Sequence, residues 1–162
     1  MADQYPGIDA RLQSFIQAQH IFFVGTAAQV GRVNVSPKGM DSLRVLGPNR
    51  ILWRNVTGSG NETAGHLLQI NRMTLMWCSF TTKPMILRAY GTARTIHPRD
   101  AEWDDMNGHF AAFDGARQIY DMTVEMMQSS CGYAVPFFDA PRPRETLEKW
   151  TADKGVEGIE TY

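Results

Sequence analysis

The most constraining feature of this chain is a short apolar run that passes through a Gly/Ser/Asn loop directly into a helix. The run covers residues 51–56, and the helix is predicted from Ser59. The first turn of a helix leaves backbone N–H groups unpaired at the positive end of its dipole, and glycine lets an anion approach them closely. The alternative is a capping box, because Ser59 and Glu62 stand three residues apart. The segment is therefore typical of either a phosphate site or a capped helix.

A polar-faced strand precedes this segment. Residues 33–38 alternate in polarity, so Val33 and Val35 are predicted to face a core, and the opposite face carries Ser36 and Lys38. A hydroxyl group beside an ammonium group suits a phosphate or the acceptor edge of a heterocycle. The alternative is an exposed edge strand whose lysine and proline limit aggregation.

Four segments together resemble the FMN-binding split-barrel proteins related to pyridoxamine 5′-phosphate oxidase. They are residues 33–39, 51–66, 71–77 and 86–93. Their order and spacing match the family's barrel between about Phe22 and Ile96. The resemblance implies a mainly β fold, which is a six-stranded antiparallel Greek-key split barrel with peripheral helices. It also implies a homodimer that holds FMN in clefts between the two subunits.

The resemblance also implies which residues bind the cofactor, since family members hold FMN with the matching strand, strand end and loop. These residues are Ser36, Pro37, Lys38, Trp53, Arg54, Asn55, Ser59, Gly60, Asn61, Thr63 and Arg88. One departure from the family is Glu62, because family oxidases often carry a basic pair in this region. A glutamate beside a phosphate would repel it, so we expect Glu62 to point away or the phosphate to rely on Arg54 and Lys38. No residue is identified as a catalytic acid or base.

Two other groups leave alternatives open. Arg88 shares a strand face with apolar neighbours, so it either forms a structural salt bridge or binds an anion from the partner subunit's side. Tyr133, Phe137 and Phe138 either wall a flavin or substrate or plug the barrel mouth, and aromatic clusters near proline favour the plug. Residues 141–144 only faintly match the arginine-rich segment of true pyridoxamine phosphate oxidases, which argues against vitamin B6 oxidation.

Hydrophobic periodicity predicts the secondary structure. Helices are predicted over about residues 8–18, from Ser59 with Ala64, Leu67 and Leu68 buried, from Pro98 to about Asp114, and over about 144–153. Strands are predicted over residues 21–28, 33–38, 42–46, 50–56, 73–80 and 85–96, and over a later run in which Tyr120, Met122, Val124 and Met126 face inward. We interpret residues 1–162 as a single domain with a C-terminal extension from about residue 132.

Composition limits the function classes. A net charge of −1 over 162 residues, with scattered basic residues, argues against nucleic acid and anionic membranes as partners. Without a long apolar run or a leader-like N-terminus, the chain is expected to be cytoplasmic. The two cysteines do not make a disulfide framework, Cys78 is expected in the core, and the scattered histidines predict no metal site.

The sequence thus predicts an FMN-binding flavoprotein that acts as an oxidoreductase on an unidentified small molecule. Two alternatives remain open. One is a flavin-binding or storage module without turnover, and the other is a split barrel that binds another ligand such as haem. The sequence does not distinguish FMN from a deazaflavin.

Overall fold

One antiparallel sheet dominates the computed structural model, which describes residues 2–139 and 141–162. The strands are β1 (Asp3–Tyr5), β2 (Phe22–Thr26), β3 (Asn34–Lys38), β4 (Leu43–Gly47), β5 (Arg50–Val56), β6 (Met73–Cys78), β7 (Ile86–Ile96) and β8 (Ala116–Ser130). The helices are α1 (Ala10–Gln17), α2 (Glu62–Gln69), α3 (Trp103–Asn107) and α4 (Thr146–Glu160). Within the described ranges, no helix has the length and apolar character required to cross a bilayer.

The sheet follows the order β3-β2-β6-β7-β8-β5-β4, and β1 adds to β8. Every neighbouring pair is antiparallel. The structure has eight strands, compared with six in the expected barrel and seven located by periodicity, and the strand that was not predicted is β1, which pairs with β8. The two ends of this strand order are β3 and β4, which are consecutive in the sequence and joined by residues 39–42.

Two apolar clusters lie on opposite faces of β5. Ile51 and Trp53 belong to the larger cluster, in which α1 buries Leu12 and Ile16. Leu52 belongs to a smaller cluster with Ile96, Phe110 and Ile119, beside α3. Because successive side chains of a strand point to opposite faces, β5 is covered by apolar groups on both sides. Its last residues are therefore held firmly where they meet the loop that leads to α2.

A register shift in β8 changes which side chains face the core. Tyr90 pairs with Met126 and Gly91 pairs with Val124, so Glu125 is the extra residue of a bulge. The alternation slips by one residue there, and Met127 is buried instead of the predicted Met126. Tyr120, Met122 and Val124, which precede the bulge, are buried as predicted.

Helix boundaries differ from the predictions in three places. Helix α2 begins at Glu62 with Asn61 at its N-cap, so the capping box of Ser59 and Glu62 is wrong. Leu67 is buried, but Leu68 is 90% exposed because it lies on the outer face of α2. Helix α3 covers five residues where a helix from 98 to 114 was expected. Helix α4 begins two residues after the predicted start and continues beyond 153, with a non-helical break at Gly155, whose φ is 65°.

Several apolar side chains predicted to be inside are exposed in the single chain. Val33, which immediately precedes β3, and Val35 within it are 70% and 63% exposed. Strand β3 is an edge strand, the face that carries Val35 is uncovered, and its polar face is half-buried. Tyr133, Phe137 and Phe138 are also exposed, so they do not plug the barrel in this chain. Among the described aromatic pairs, Phe138 has a single partner, Phe80, and the two rings meet edge to face.

Candidate functional site

A cleft of about 460 Å³ lies between β3, the end of β5 and the loop before α2. Eight of the predicted cofactor residues line it, namely Ser36, Pro37, Lys38, Trp53, Arg54, Asn55, Ser59 and Gly60. Known small-molecule sites enclose roughly 300–1,000 Å³, so the cleft has the size of a ligand site. The fold thus brings together the strand, strand end and loop that the sequence analysis singled out.

Lys38 is the cation at the centre of this arrangement. Its Nζ lies 5.3 Å from the centroid of the Trp53 ring, which in turn stacks on Tyr120 at 4.6 Å. Burial lowers the pKa of Lys38, and the nearby Glu62 carboxylate partly offsets this effect. Lys38 forms no ion pair with any residue that the structure describes. A partly desolvated ammonium without a bonded carboxylate is suited to an incoming anion.

Arg117 fixes the loop that separates β5 from α2. Its guanidinium donates to the backbone carbonyls of Gly58 at 2.9 Å and Gly60 at 3.0 Å. Both acceptors are loop carbonyl groups, so the loop adopts one conformation with these oxygens turned towards Arg117. Sequence reasoning missed Arg117, because its relation to the loop arises from the pairing of β8 with β5.

Glu62 does not point away from the site. It lines the cleft, and its carboxylate lies so close to Gly60 that a Cβ at this glycine would come within 2.5 Å of Oε2. A side chain at position 60 would therefore have to displace the carboxylate of Glu62 from its present position. The negative charge of Glu62 makes Lys38 the more important group for attracting an anion into this part of the cleft.

Arg54 also lines the cleft, but its side chain lies on the other face of β5 from Trp53. Its guanidinium carbon is 4.8 Å from the Phe110 ring centroid and 5.9 Å from that of Phe113. Nη1 donates to the carbonyl oxygen of Ala111 at 2.6 Å. Burial lowers the pKa of Arg54, although a guanidinium remains charged at neutral pH.

Three predicted site residues do not line the cleft of the single chain. Asn61 is the N-cap residue of α2. Thr63 is buried and accepts a hydrogen bond of 3.5 Å from Asn34. Arg88 donates to the Ser130 hydroxyl at 3.2 Å and forms no salt bridge among the described residues, so of its two alternatives the salt bridge is not found within this chain.

The C-terminal segment adds a wall that the sequence analysis missed. Leu147, in the first turn of α4, lines the cleft. The helix is anchored by Thr151, which is 3% exposed and packs beside Gly115 and Phe113. Residues 139–145 give no periodic signal that would place this helix beside the cleft. The position of Leu147 is consequently a tertiary feature that the local pattern did not reveal.

The cleft combines an unpaired ammonium, a hydroxyl-bearing strand, a clamped glycine loop and a large aromatic ring. Such a set suits a ligand with a phosphate at one end and a planar heterocycle at the other. Asn55 and the backbone of the loop offer hydrogen-bond donors and acceptors for the ring edge.

A sequence model described as pyridoxamine 5′-phosphate oxidase matches residues 8–131. A pyridoxamine 5′-phosphate oxidase family protein of Aspergillus flavus, ustO, is 37% identical over 150 residues, which are 89% of this chain and 60% of that protein. The chain therefore spans about three fifths of the length of this relative.

Solved structures share the fold at low sequence identity. A candidate pyridoxamine 5′-phosphate oxidase of Lactobacillus delbrueckii has a TM-score of 0.61 at 15% identity, covering 76% of this chain and 94% of that one. The FAD binding protein of Mycobacterium smegmatis has a TM-score of 0.54 at 12% identity, covering 78% and 97%. HutZ, a haem storage protein of Vibrio cholerae, has a TM-score of 0.54 at 13% identity, covering 78% and 98%. These likenesses confirm the split-barrel class, and at such identities they show the fold alone.

Proposed function

Because this chain belongs to the pyridoxamine 5′-phosphate oxidase family, we propose that it is an FMN-binding flavoprotein and an oxidoreductase of an unidentified small molecule. The observation that carries the proposal is the unpaired, half-buried Lys38 in a cleft that also contains Ser36, the Trp53 ring and the glycine loop. Flavin-binding proteins occur among those that share the fold.

In the proposed complex, Lys38 and the backbone N–H groups of the loop before α2, at Ser59 and Gly60, would hold the phosphate. Ser36 lies beside them, but its hydroxyl donates to Asn34 Oδ1 at 2.9 Å and would have to turn from this acceptor to reach the phosphate. Asn55 would hydrogen-bond the edge of the ring. FMN, when bound, accepts a hydride or electrons and passes them to oxygen or another acceptor. The residues of this chain would orient the ring and compensate its charge, and none of them is assigned as a catalytic acid or base.

We further propose that the protein is a homodimer with FMN at the subunit interface. The uncovered valine face of β3 supports this proposal, because apolar residues of an edge strand are normally protected by other structure. Arg88, which lies outside the cleft of its own chain, is proposed to approach FMN bound to the partner.

The proposal is tested by adding FMN, FAD or haemin to the purified apoprotein and measuring the absorption of the bound fraction. We expect FMN to be retained in one equivalent per chain. A reduced nicotinamide cofactor should bleach the bound flavin without oxygen, and air should restore its colour. Tight binding without bleaching or reoxidation would support the storage module instead. Retention of haemin with no retention of flavin would contradict the proposed cofactor and would favour the haem alternative, which the likeness to HutZ motivates.

A further inference from the structure

Arg117 meets the loop before α2 from a bulge in β8. The register of β8 against β5 shifts after Asn55, so Arg117 is the extra residue of this bulge. Bulges redirect a side chain and occur often beside functional sites. Here the redirected guanidinium donates to the backbone carbonyls of Gly58 at 2.9 Å and Gly60 at 3.0 Å.

The loop itself is a flexible stretch of chain. Gly58 and Gly60 flank Ser59, and glycine loses more conformational freedom on folding than any other residue. Neither glycine has a positive φ, so no left-handed turn defines the loop. The residue before the loop is fixed, since the N–H of Thr57 donates to the carbonyl of Gly115 at 2.8 Å. Beyond that point, the hydrogen bonds at the two glycine carbonyls hold the loop in its shape.

The two bound carbonyl groups determine the direction of two backbone N–H groups. In a trans peptide unit the N–H and the C=O point in opposite directions, and the peptide bonds of the described residues are trans. The N–H of Ser59 shares a peptide unit with the Gly58 carbonyl. The N–H of Asn61 shares one with the Gly60 carbonyl. Both N–H groups therefore point to the side of the loop away from Arg117.

These two N–H groups are free to bind a ligand. Neither donates to a backbone oxygen among the described residues, and the Asn61 side chain does not cap α2. Ser59 lines the cleft, whereas Arg117 is not among the residues that line it. A backbone N–H without a protein partner binds water or a ligand, so the Ser59 N–H is available to an anion in the cleft.

We propose that Arg117 is a positioning residue for the phosphate of the bound flavin. By holding the two glycine carbonyls, it turns the N–H of Ser59, and after it that of Asn61, towards a phosphate beside Lys38. This inference rests on the proposed function, in which FMN occupies the cleft. Because the loop is ordered before the ligand arrives, less conformational entropy is lost on binding. Glu62 brings a negative charge to the same cleft, so correctly directed N–H donors matter more here.

The experiment compares FMN with riboflavin, which has the same ring system but no phosphate. Fluorescence titrations measure both affinities in the wild-type protein, Arg117→Met and Arg117→Lys. We expect Arg117→Met to weaken FMN binding about tenfold and riboflavin binding less than about twofold. Arg117→Lys keeps the charge but cannot place two donors in one plane, so it should still weaken FMN binding several-fold. Arg99→Gln removes the charge of an exposed arginine and should change neither affinity.

Three outcomes of these titrations would overturn the inference. Equal losses for FMN and riboflavin in Arg117→Met would show that Arg117 supports the fold or the shape of the cleft in general. Full FMN affinity in Arg117→Lys would show that the charge alone is sufficient. Unchanged FMN affinity in Arg117→Met would show that the loop does not need this residue to bind the phosphate.

A titration of flavin-free, ¹⁵N-labelled protein with inorganic phosphate separates this inference from the proposed function. The backbone amide resonances of Ser59 and Asn61 should shift saturably in the wild-type protein. Arg117→Met should need about tenfold more phosphate for the same shift. If these amides respond but no flavin is retained, the proposed cofactor fails and the role of Arg117 in anion binding stands. An unmoved Ser59 amide in the wild-type protein would overturn the inference, whichever flavin binds.

Discussion

Lys38 is placed to supply the main positive charge for a flavin phosphate. We expect Lys38→Met to weaken FMN binding by about 1.5–3 kcal/mol, tenfold or more in Kd, because one charge-assisted hydrogen bond is lost. Fluorescence titration of the apoprotein with FMN measures this change. The control is Lys83→Met, since Lys83 is exposed in the loop between β6 and β7. Equal affinity of Lys38→Met and wild type would show that the phosphate binds elsewhere.

The lowered pKa of Lys38 gives FMN binding a pH dependence. Burial makes the folded apoprotein hold this proton less tightly than the unfolded chain, so Lys38 destabilises the apoprotein at neutral pH. That penalty diminishes as the pH rises from the lowered pKa to the ordinary lysine value. A bound phosphate favours the protonated form, so FMN affinity should fall as the pH rises through the lowered pKa.

Titrations with FMN over a range of alkaline pH measure this effect. The wild-type protein should lose its affinity for FMN at a lower pH than it would if Lys38 had the pKa of an ordinary lysine. Lys38→Met should not show this component, since it carries no proton there. An identical pH profile in both proteins would assign the dependence to the flavin or to another group.

Among the strands, the bulge between β7 and β8 depends on Gly91. A Cβ at this position would overlap the carbonyl oxygen of Thr123 in the neighbouring strand. We expect Gly91→Ala to lower the free energy of unfolding by about 3 kcal/mol or more, because backbone of two central strands must separate. Urea denaturation of the apoprotein measures the loss.

Gly65 provides the matched control for this substitution. It lies in α2, and apart from its chain neighbours and the backbone of its own helix, no atom stands within 4 Å of the position that a Cβ would take. Gly65→Ala should raise the free energy of unfolding by roughly 0.5–1 kcal/mol, since alanine loses less conformational entropy in a helix. Similar effects of the two substitutions would contradict the assigned bulge geometry.

Helix α4 is expected to control access to the cleft through Leu147. Leu147→Trp adds volume to a wall of the cleft and should slow FMN association and weaken binding several-fold, while Leu147→Ala should speed FMN release. Stopped-flow fluorescence measures both rates. Val156→Trp is the control, because Val156 is exposed beyond the break at Gly155. Unchanged rates in both Leu147 variants would place α4 away from the ligand.

The elements that the sequence predicted well are those with local signals. The period of apolar residues located α1, and the glycine, proline and asparagine at 47–49 located the hairpin of β4 and β5. Met126 was assigned to the wrong face because the bulge at Glu125 arises from pairing with β7, which no local pattern encodes. The Pro98 signal predicted a helix to about Asp114, but α3 covers only Trp103–Asn107.

For the site, the sequence located the strand, strand end and loop that meet at the cleft, because each carries unusual polar residues within a few positions. Arg117 and Leu147 were missed, since they come from β8 and α4: Arg117 binds carbonyl groups of the loop and Leu147 lines the cleft only because of the fold. The interpretation of Val33 and Val35 as core residues was wrong for the single chain. Alternation indicates that two faces differ, but not what covers the apolar one.

At the scale of the whole molecule, the exposed valines of β3 lead to the last prediction. Val33 and Val35 lie on the uncovered face of an edge strand whose opposite face borders the cleft. Lysines substituted for both valines would place two charges on this face. If a second copy of the chain covers the face, these charges would be buried, which is costly because a charge without a partner is poorly tolerated in an interface. We therefore expect Val33→Lys/Val35→Lys to shift the protein from dimer to monomer in sedimentation velocity.

The same variant tests whether the cleft needs the second subunit. If FMN lies between two chains, the monomeric variant should lose FMN affinity by tenfold or more although neither valine is a predicted ligand. Val156→Lys, at an exposed position of α4, should leave both mass and affinity unchanged. A monomeric wild-type protein would remove the proposed dimer. A monomeric valine variant with full FMN affinity would instead show that one chain forms the whole cofactor site, with Arg88 outside it.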